Sequence, residues 1–164
     1  MNDNIIHLKT IITEDFLNYK KPSMFLISSI CDFKCLNELG LDTSLCQNQS
    51  ITLQNTLEFN ISDIIDIYQK NDIIKAVVIG GLEPFMQFEE ILNFIEAFRK
   101  KCNDEIVIYT GYYKDEIKEE INLLTKYSNI IVKFGRFIPN QEFHFDPILG
   151  INLISDNQYA ERIS

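Results

Sequence analysis

Residues 75–98 read KAVVIGGLEPFMQFEEILNFIEAF, and this stretch decides the fold class that we predict. Residues 75–79 form a short apolar run rich in β-branched side chains, which is typical of a buried strand. A helical repeat follows, in which apolar residues recur at the spacing of one buried face: Phe88, Ile91, Leu92, Ile95 and Phe98. A strand, a glycine turn and an amphipathic helix in this order predict a βαβ unit with parallel strands.

The same alternation extends over most of the chain. Four further apolar runs predict strands at residues 24–28, 105–109, 129–134 and 150–154. Helical spacing predicts a helix over residues 117–124 and another that Asn60 can cap, while residues 47–57 and 139–147 are predicted to be loops. We therefore predict an α/β protein with a mostly parallel sheet, in a single domain over residues 1–164.

Charge and hydropathy exclude several classes of protein. The chain has 15 Lys and Arg residues against 24 Asp and Glu residues, which gives a formal net charge of −9. This sign is wrong for binding a phosphate backbone, so we expect no nucleic-acid partner. The apolar runs are far shorter than the ~20 residues of a membrane span, and the first thirteen residues lack the features of a secretion signal. We expect a cytoplasmic protein with no membrane partner.

Three of the four cysteines are close together in the sequence. Cys31, Cys35 and Cys46 lie in a polar segment, whereas Cys102 ends an amphipathic helix, where a packed cysteine is expected. In a reducing compartment such clustering favours metal or redox chemistry over disulfides. Three thiolates without a fourth nearby suit an iron–sulfur cluster with one open iron. The alternatives are structural zinc completed by Cys102 or a distant histidine, and cysteines that are simply small buried residues.

Unusual residues follow the ends of all the predicted strands. In chain order they are Cys31, Gly80, Gly81, Thr110, Gly111, Gly135, Asp156 and Asn157. Ligands of parallel sheets bind where the carboxyl ends of the strands meet, so these positions predict one shared site. Taken singly, the glycine pair also fits a plain strand-to-helix turn, and Glu83 fits a solvated acid at a helix start.

With these residues identified, the chain resembles the radical S-adenosylmethionine (SAM) family, and within it the activating proteins of anaerobic ribonucleotide reductase. Cys31 and Cys35 match the first two cysteines of the family motif CxxxCxxC, and Cys46, followed by Gln47 and Asn48, looks like the third. Similar motifs follow as GGLEP at 80–84, YTGY at 109–112, GRF at 135–137 and SDNQ at 155–158. The resemblance covers about residues 22–160, which we take as the core of the domain.

The resemblance implies an incomplete (βα) barrel with two cofactors, a 4Fe-4S cluster held by Cys31, Cys35 and Cys46, and SAM. It implies SAM contacts from Gly80, Gly81, Glu83, Pro84, Thr110, Tyr112 and Asn157. The implied activity is reductive cleavage of SAM to a 5′-deoxyadenosyl radical that installs a glycyl radical on a partner enzyme, with electrons from a low-potential donor. The alternatives are a 4Fe-4S electron-transfer or interaction module without SAM cleavage, and a zinc-bound structural protein.

The chain departs from the family motif at its third cysteine. The family spacing would place that cysteine at position 38, which is Glu38, and Cys46 follows eight residues later. Ten intervening residues instead of two add about 1.4 kcal/mol of loop-closure free energy. Metal binding contributes roughly 10 kcal/mol, so we expect the longer loop to permit a cluster. Arg136, Asp156 and residues 139–147 are expected to be solvated loop.

Overall fold

The computed structural model of the protein describes residues 3–164. Its strands are β1 (Ile5–Asp15), β2 (Ser23–Ser28), β3 (Leu57–Asn60), β4 (Ala76–Gly80), β5 (Glu105–Tyr109), β6 (Ile130–Phe134), β7 (His144–Asp146), β8 (Ile151–Leu153) and β9 (Tyr159–Arg162). Its helices are α1 (Lys34–Asn37), α2 (Gln49–Thr52), α3 (Ile61–Gln69), α4 (Phe88–Arg99) and α5 (Lys118–Leu124), with short 3-10 turns at Thr43–Leu45, Pro84–Gln87 and Lys114–Glu116. None of the helices in this part of the chain has the length and apolar character needed to cross a membrane.

Seven strands form one mixed sheet in the order β3-β1-β2-β4-β5-β6-β9. Strands β2, β4, β5 and β6 are parallel to one another, whereas β1, β3 and β9 pair antiparallel with their neighbours. The predicted α/β class with a parallel centre is therefore confirmed. The sheet is open, because β3 and β9 form its two edges, and no barrel closes within residues 3–164. The incomplete-barrel geometry stays a prediction.

The helices α3, α4 and α5 cover one face of the sheet. The crossovers from β4 to β5 and from β5 to β6 have the same handedness and run in the same direction across the sheet. Their helices therefore lie on the same face of the sheet. Side chains alternate along β4, so Val77 packs with Phe94 on the helical side, whereas Val78 packs with Leu149 and Leu153 on the other. Loops and the β7–β8 hairpin thus cover the second face. Both faces of the parallel strands are buried, which explains their continuous apolar runs.

The predictions for β2, β4, β5 and β6 agree with the structure to within one residue, and the three predicted helices are present. The prediction that residues 150–154 form the fifth strand of the main sheet is wrong. Strand β8 lies there, but it pairs only with β7 in a separate hairpin. The corresponding edge of the main sheet is β9, whose sequence YAER has no apolar run, because an edge strand is only partly covered.

The strands β1 and β3 and the short elements α1, α2 and β7 also lie outside the predictions. Strand β1 buries Ile6 and Leu8 completely, but His7 and Lys9 alternate with them and interrupt the apolar run. Strand β3 is almost wholly exposed, so it has no hydrophobic pattern. Within the predicted loops, residues 47–57 contain α2 and residues 139–147 contain β7. These elements depend on contacts with distant segments, and such contacts leave little local signal.

Candidate functional site

The carboxyl ends of the parallel strands open onto one cavity of about 330 Å³. Its wall is formed by the segment after β2, the turns after β4 and β5, and residues that follow β6. Seven of the ten predicted site residues line it: Cys31, Cys35, Cys46, Gly81, Glu83, Thr110 and Tyr112. Gly80, Pro84 and Asn157 lie beside it without lining it. The expected convergence at one edge of the sheet is therefore seen for most of these positions.

The segment after β2 brings three thiols to this cavity. The sulfur of Cys31 accepts a hydrogen bond from the backbone N–H of Phe33 at 3.3 Å, and the sulfur of Cys46 accepts one from Asn48 at 3.4 Å. Phe33 has a left-handed φ of 54°, which turns the chain into α1, the one-turn helix that carries Cys35. A Cβ atom at Gly111 would lie 2.8 Å from the Cys35 sulfur. Glycine is needed at position 111 because the thiol occupies that space.

The two cysteines nearest β2 are held as neutral thiols. Burial raises the pKa of Cys31 to about 12, and the N–H of Phe33 only partly offsets this. Burial also raises the pKa of Cys35, against the N–H of Phe137 and the charges of Lys133 and Arg136. Thiolates are the metal-binding form, so metal binding here releases protons and depends on pH.

The donor set fits an iron–sulfur cluster. Within residues 3–164, no three His, Cys, Asp or Glu side chains are arranged to hold a single metal ion. In a cluster each thiolate binds a different iron, so the cysteines surround a volume instead of a point. Three thiols around one cavity, next to the buried cation of Lys133, match the chemistry of a cluster with three protein ligands.

Cys102 is not part of this donor set. It lies before the first residue of β5, at the end opposite to the cavity, and its sulfur accepts a hydrogen bond from the N–H of Asp104 at 3.4 Å. It packs, partly buried, against the helical core, as expected for a packed cysteine. The zinc alternative completed by Cys102 is therefore not supported. His7 is engaged elsewhere, because its Nδ1 lies 2.8 Å from Glu90 Oε1.

Glu83 is a buried acid at the centre of the cavity wall. It is 4% exposed, so the alternative of a solvated acid at a helix start is wrong. Its carboxylate accepts hydrogen bonds from Thr110 Oγ1 at 2.8 Å and from the N–H groups of Gly111 at 2.9 Å and Phe85 at 3.1 Å. Burial raises its pKa to about 7, although these three donors oppose the shift. Glu83 therefore changes its charge near neutral pH.

Lys133 is a buried cation that the sequence pattern does not single out. It lies on β6, it is 7% exposed, and its Nζ donates to the carbonyl of Gly135 at 3.1 Å. Burial lowers its pKa to about 8, against the attraction of Cys35 and Glu83. Within a strand sequence, a lysine looks like an ordinary outward-facing residue. Only the fold shows that its side chain turns into the cavity.

The glycine pair after β4 is required by packing. Gly81 has φ of +84°, and a Cβ there would lie 2.7 Å from a methyl carbon of Ile27. A Cβ at Gly80 would lie 2.9 Å from Tyr109 Cβ. The carbonyl of Gly81 accepts a hydrogen bond from the side chain of Asn48 at 2.6 Å, which ties the third cysteine segment to this turn. In the sequence, Asn48 is notable only because it follows the third cysteine.

The other predicted residues have structural partners. Tyr112 donates its hydroxyl to Asp32 at 2.7 Å, and Pro84 opens the 3-10 turn that follows Glu83. The amide nitrogen of Asn157 donates to the Tyr113 hydroxyl at 3.0 Å, while its buried Oδ1 has no partner within the described residues. These contacts place Asn157 behind the cavity wall.

Arg136 is buried, so the expectation that it lies in a solvated loop is wrong. It is 4% exposed, and it forms ion pairs with Glu38 and Glu116. Asp156 is exposed, as expected, and residues 139–147 are largely exposed apart from the buried Asp146. The partners of Arg136 lie far from it in the sequence, so no local pattern predicts its burial.

The comparisons with known proteins indicate a 4Fe-4S cluster domain. The model of the family described as 4Fe-4S single cluster domain matches residues 23–151, which include the three cavity cysteines. No curated protein and no solved structure matches the chain.

Proposed function

The chain belongs to the 4Fe-4S single cluster domain family, and on that premise we propose that it is a radical SAM protein whose cluster is held by Cys31, Cys35 and Cys46. The proposed reaction is the reductive cleavage of SAM to methionine and a 5′-deoxyadenosyl radical. The observation that supports this most is that the three thiols, Gly81 and Glu83 line one cavity at the carboxyl ends of parallel strands.

The three cysteines define the coordination that the proposal needs. Within residues 3–164 no fourth cysteine lines the cavity, since Cys102 lies at the other end of β5. Cys31, Cys35 and Cys46 would hold a 4Fe-4S cluster, which would bind the amino and carboxylate groups of SAM at an iron without a protein ligand and would supply the electron for cleavage of the sulfonium bond. Lys133 favours the thiolate form of Cys35, because its positive charge lies buried near that sulfur.

We propose that Gly81 and Glu83 bind the ammonium group of SAM. A carboxylate has about four lone-pair positions, and three of those on Glu83 are filled, so one remains for a further donor. The carbonyl of Gly81 accepts from Asn48 and likewise keeps one lone pair. Gly80 and Gly81 serve this contact through the shape of the turn, because a Cβ at either position would clash with Tyr109 or Ile27 and would displace the Gly81 carbonyl.

Other residues of the cavity are proposed to contact the rest of the SAM molecule. We propose Thr110 and Tyr112 for the adenosyl half, because both line the cavity beside Glu83. We also propose Pro84 and Asn157 as SAM residues that act from beside the cavity, Pro84 through the turn after Glu83 and Asn157 next to Tyr113. A charged ligand at Glu83 favours its ionised form, so SAM binding and the protonation of this acid are linked.

We propose that the substrate is a protein, namely a glycyl radical enzyme such as anaerobic ribonucleotide reductase, and that a low-potential donor supplies electrons. Two aromatic side chains at the β7–β8 hairpin are exposed, Phe143 at 70% just before β7 and Phe145 at 62% within it. Phe145 pairs across the β7–β8 hairpin with Asn152, which lines the cavity. Exposed aromatic residues beside a site favour a protein partner.

Anaerobic reconstitution with iron and sulfide tests the proposal. We expect a 4Fe-4S absorption spectrum, a reduced-state electron paramagnetic resonance (EPR) signal that SAM alters, and 5′-deoxyadenosine in the presence of a reductant. Alanine variants of Cys31, Cys35 and Cys46 should each lose the 4Fe-4S spectrum, whereas the matched control Cys102→Ala should keep it. Because Cys102 lies outside the cavity, Cys102→Ala shows whether removing any cysteine from the protein affects the spectrum.

The same experiment separates the alternatives. A cluster whose EPR signal is unchanged by SAM, with no 5′-deoxyadenosine, would identify a cluster-binding module without SAM cleavage. A colourless protein with no iron after reconstitution would refute both functions. Mass spectrometry of the partner enzyme, with and without SAM, tests the glycyl radical, since exposure to oxygen cleaves a chain at such a radical.

A further inference from the structure

The proposed function does not use the ion-pair cluster around Arg136. The Arg136 guanidinium donates to Glu38 through Nε at 2.9 Å and Nη2 at 2.8 Å, a bidentate contact. It also donates to both carboxylate oxygens of Glu116 and to the carbonyl of Gly111 at 2.8 Å. All five N–H donors of the guanidinium are therefore engaged. The cluster joins the segments after β2, β5 and β6.

Glu38 is the member of this cluster that belongs to the cysteine segment. It follows Cys35 by three residues and caps the end of α1, where the chain begins its ten-residue span to Cys46. It does not line the cavity, and Arg136 is the partner of both its carboxylate oxygens. The position at which the family motif has a cysteine thus carries a side chain that is held away from the cavity.

The span from Cys35 to Cys46 has little hydrophobic anchoring. Leu36 at its start is 1% exposed, but Leu39 is 47% exposed and Leu45 is 54% exposed. Its far end is held by polar contacts, including the bond from Asn48 to the Gly81 carbonyl. Leu41 is half-buried, so apolar burial in the span is complete only at its first residue. The Glu38–Arg136 contact is the tie to the sheet at its near end.

We propose that the Glu38–Arg136 pair is a positioning clamp that fixes this span and so holds Cys46 in place for the cluster. The inference rests on the proposed cluster site. A free span of ten residues loses conformational entropy when Cys46 binds metal, and an ordered span has already lost it. A bidentate bond between a buried guanidinium and a carboxylate fixes both distance and orientation. Glu38 and Arg136 are positioning residues, since neither binds the cluster.

Two substitutions and one control test the clamp. Glu38→Gln removes the charge, Glu38→Asp keeps it, and Glu119→Gln changes an exposed acid on α5 whose side chain has no hydrogen bond to any of residues 3–164. Glu38→Gln leaves Arg136 paired with Glu116, so its buried charge stays compensated and the protein should fold. The readouts are amide hydrogen exchange and thermal unfolding of the cluster-free protein, and the rate of iron release to a chelator from the reconstituted protein.

We expect Glu38→Gln to release iron about tenfold faster than wild type, equivalent to about 1.4 kcal/mol. Exchange of the amides of residues 39–46 should accelerate by a similar factor, and by more than exchange in the sheet, with the unfolding temperature lowered by a few degrees at most. Glu38→Asp should recover part of both effects, and Glu119→Gln should match wild type. A role in general stability alone would instead accelerate exchange in the sheet as much as in residues 39–46, and that result would overturn the clamp.

The outcomes separate this inference from the proposed function. If wild type binds no cluster, the proposed function fails. The clamp is then tested by amide hydrogen exchange in residues 39–46 of the cluster-free wild type and Glu38→Gln. If wild type binds a cluster that requires Cys46 but Glu38→Gln releases iron at the wild-type rate, the clamp is wrong and the cluster site stands. If Glu38→Gln does not fold, Glu38→Asp decides, because its shorter side chain weakens the bidentate contact. Faster iron release and faster exchange in residues 39–46 would then support the clamp, and wild-type rates for both would overturn it.

Discussion

The buried acid Glu83 makes the stability of the cluster-free protein depend on pH in a direction that can be calculated. Its pKa is about 7 in the folded protein against 4.5 in an unfolded chain. The folded protein therefore binds this proton more tightly than the unfolded chain does. The resulting stabilisation is fully present below pH 4.5 and is lost as pH rises through 7.

The magnitude follows from the same two values. At 1.36 kcal/mol per pKa unit, the gap between 4.5 and about 7 corresponds to about 3 kcal/mol in full. Most of it falls between pH 5 and 8, so the free energy of unfolding should fall by roughly 2–3 kcal/mol across that range. His7 adds a decrease of the same sign, because its bond to Glu90 raises its pKa. Acids with lowered pKa, such as Glu105 at about 2, contribute a constant amount in this range.

Urea unfolding of wild type and Glu83→Gln at pH 5 and pH 8, without iron and under reducing conditions, isolates this effect. Glutamine stays neutral, so the variant should lack the contribution of Glu83 while His7 acts equally in both proteins. Lys133 loses the attraction of Glu83 in the variant and should release its proton at lower pH, which adds to the difference with the same sign. The difference in unfolding free energy between wild type and variant should change by roughly 2–3 kcal/mol from pH 5 to pH 8. The constant cost of replacing a carboxylate oxygen that accepts from Gly111 cancels in that comparison.

The exposed acid Glu119 provides the control, since Glu119→Gln should keep the wild-type dependence on pH. If Glu83→Gln showed the same slope as wild type, Glu83 would not carry a raised pKa. That result would refute the conclusion that burial raises the pKa of Glu83 to about 7.

Three further predictions concern the cysteine segment and the core. Glu38→Cys should not restore the 4Fe-4S spectrum of Cys46→Ala, because residue 38 faces away from the cavity; recovery of the spectrum would show otherwise. Gly81→Ala should cost at least ~1 kcal/mol more in urea unfolding than Gly40→Ala, since both glycines have positive φ but only the first would clash with a neighbour. Phe94→Ala should cost about 3–5 kcal/mol in urea unfolding, because the ring is fully buried; a loss below ~1 kcal/mol would contradict that packing.

Local sequence predicts the parallel centre of the sheet well. Strands such as β4 are buried on both faces, so their apolar runs need no partner to be visible. The rule that ligands gather at the carboxyl ends of parallel strands assigns Cys31, Gly81 and Thr110 to one site, and all three line the same cavity. The family match over residues 23–151 confirms the prediction of a 4Fe-4S cluster, while its three ligands stay a prediction.

Other features of the molecule cannot be predicted from local sequence, and the cause is the same for each of them. Strand β9 pairs with β6 at an edge, and its sequence YAER contains no apolar run. Arg136 is buried because Glu38, 98 residues away, supplies its counter-charge. Lys133 looks like a surface residue in a strand, yet it is enclosed by the cavity wall. Each of these features is decided by a partner that is distant in the sequence.

The sequence by itself determined the four parallel strands, the three main helices and the three thiols available for a cluster, because hydrophobic periodicity and residue chemistry are local properties. The tertiary structure alone decided that these thiols share a cavity with Glu83 and Lys133, and that Glu83 is buried there with a pKa of about 7. Desolvation and ion pairing depend on every atom packed around a group, and those atoms come from strands and loops far apart in the chain.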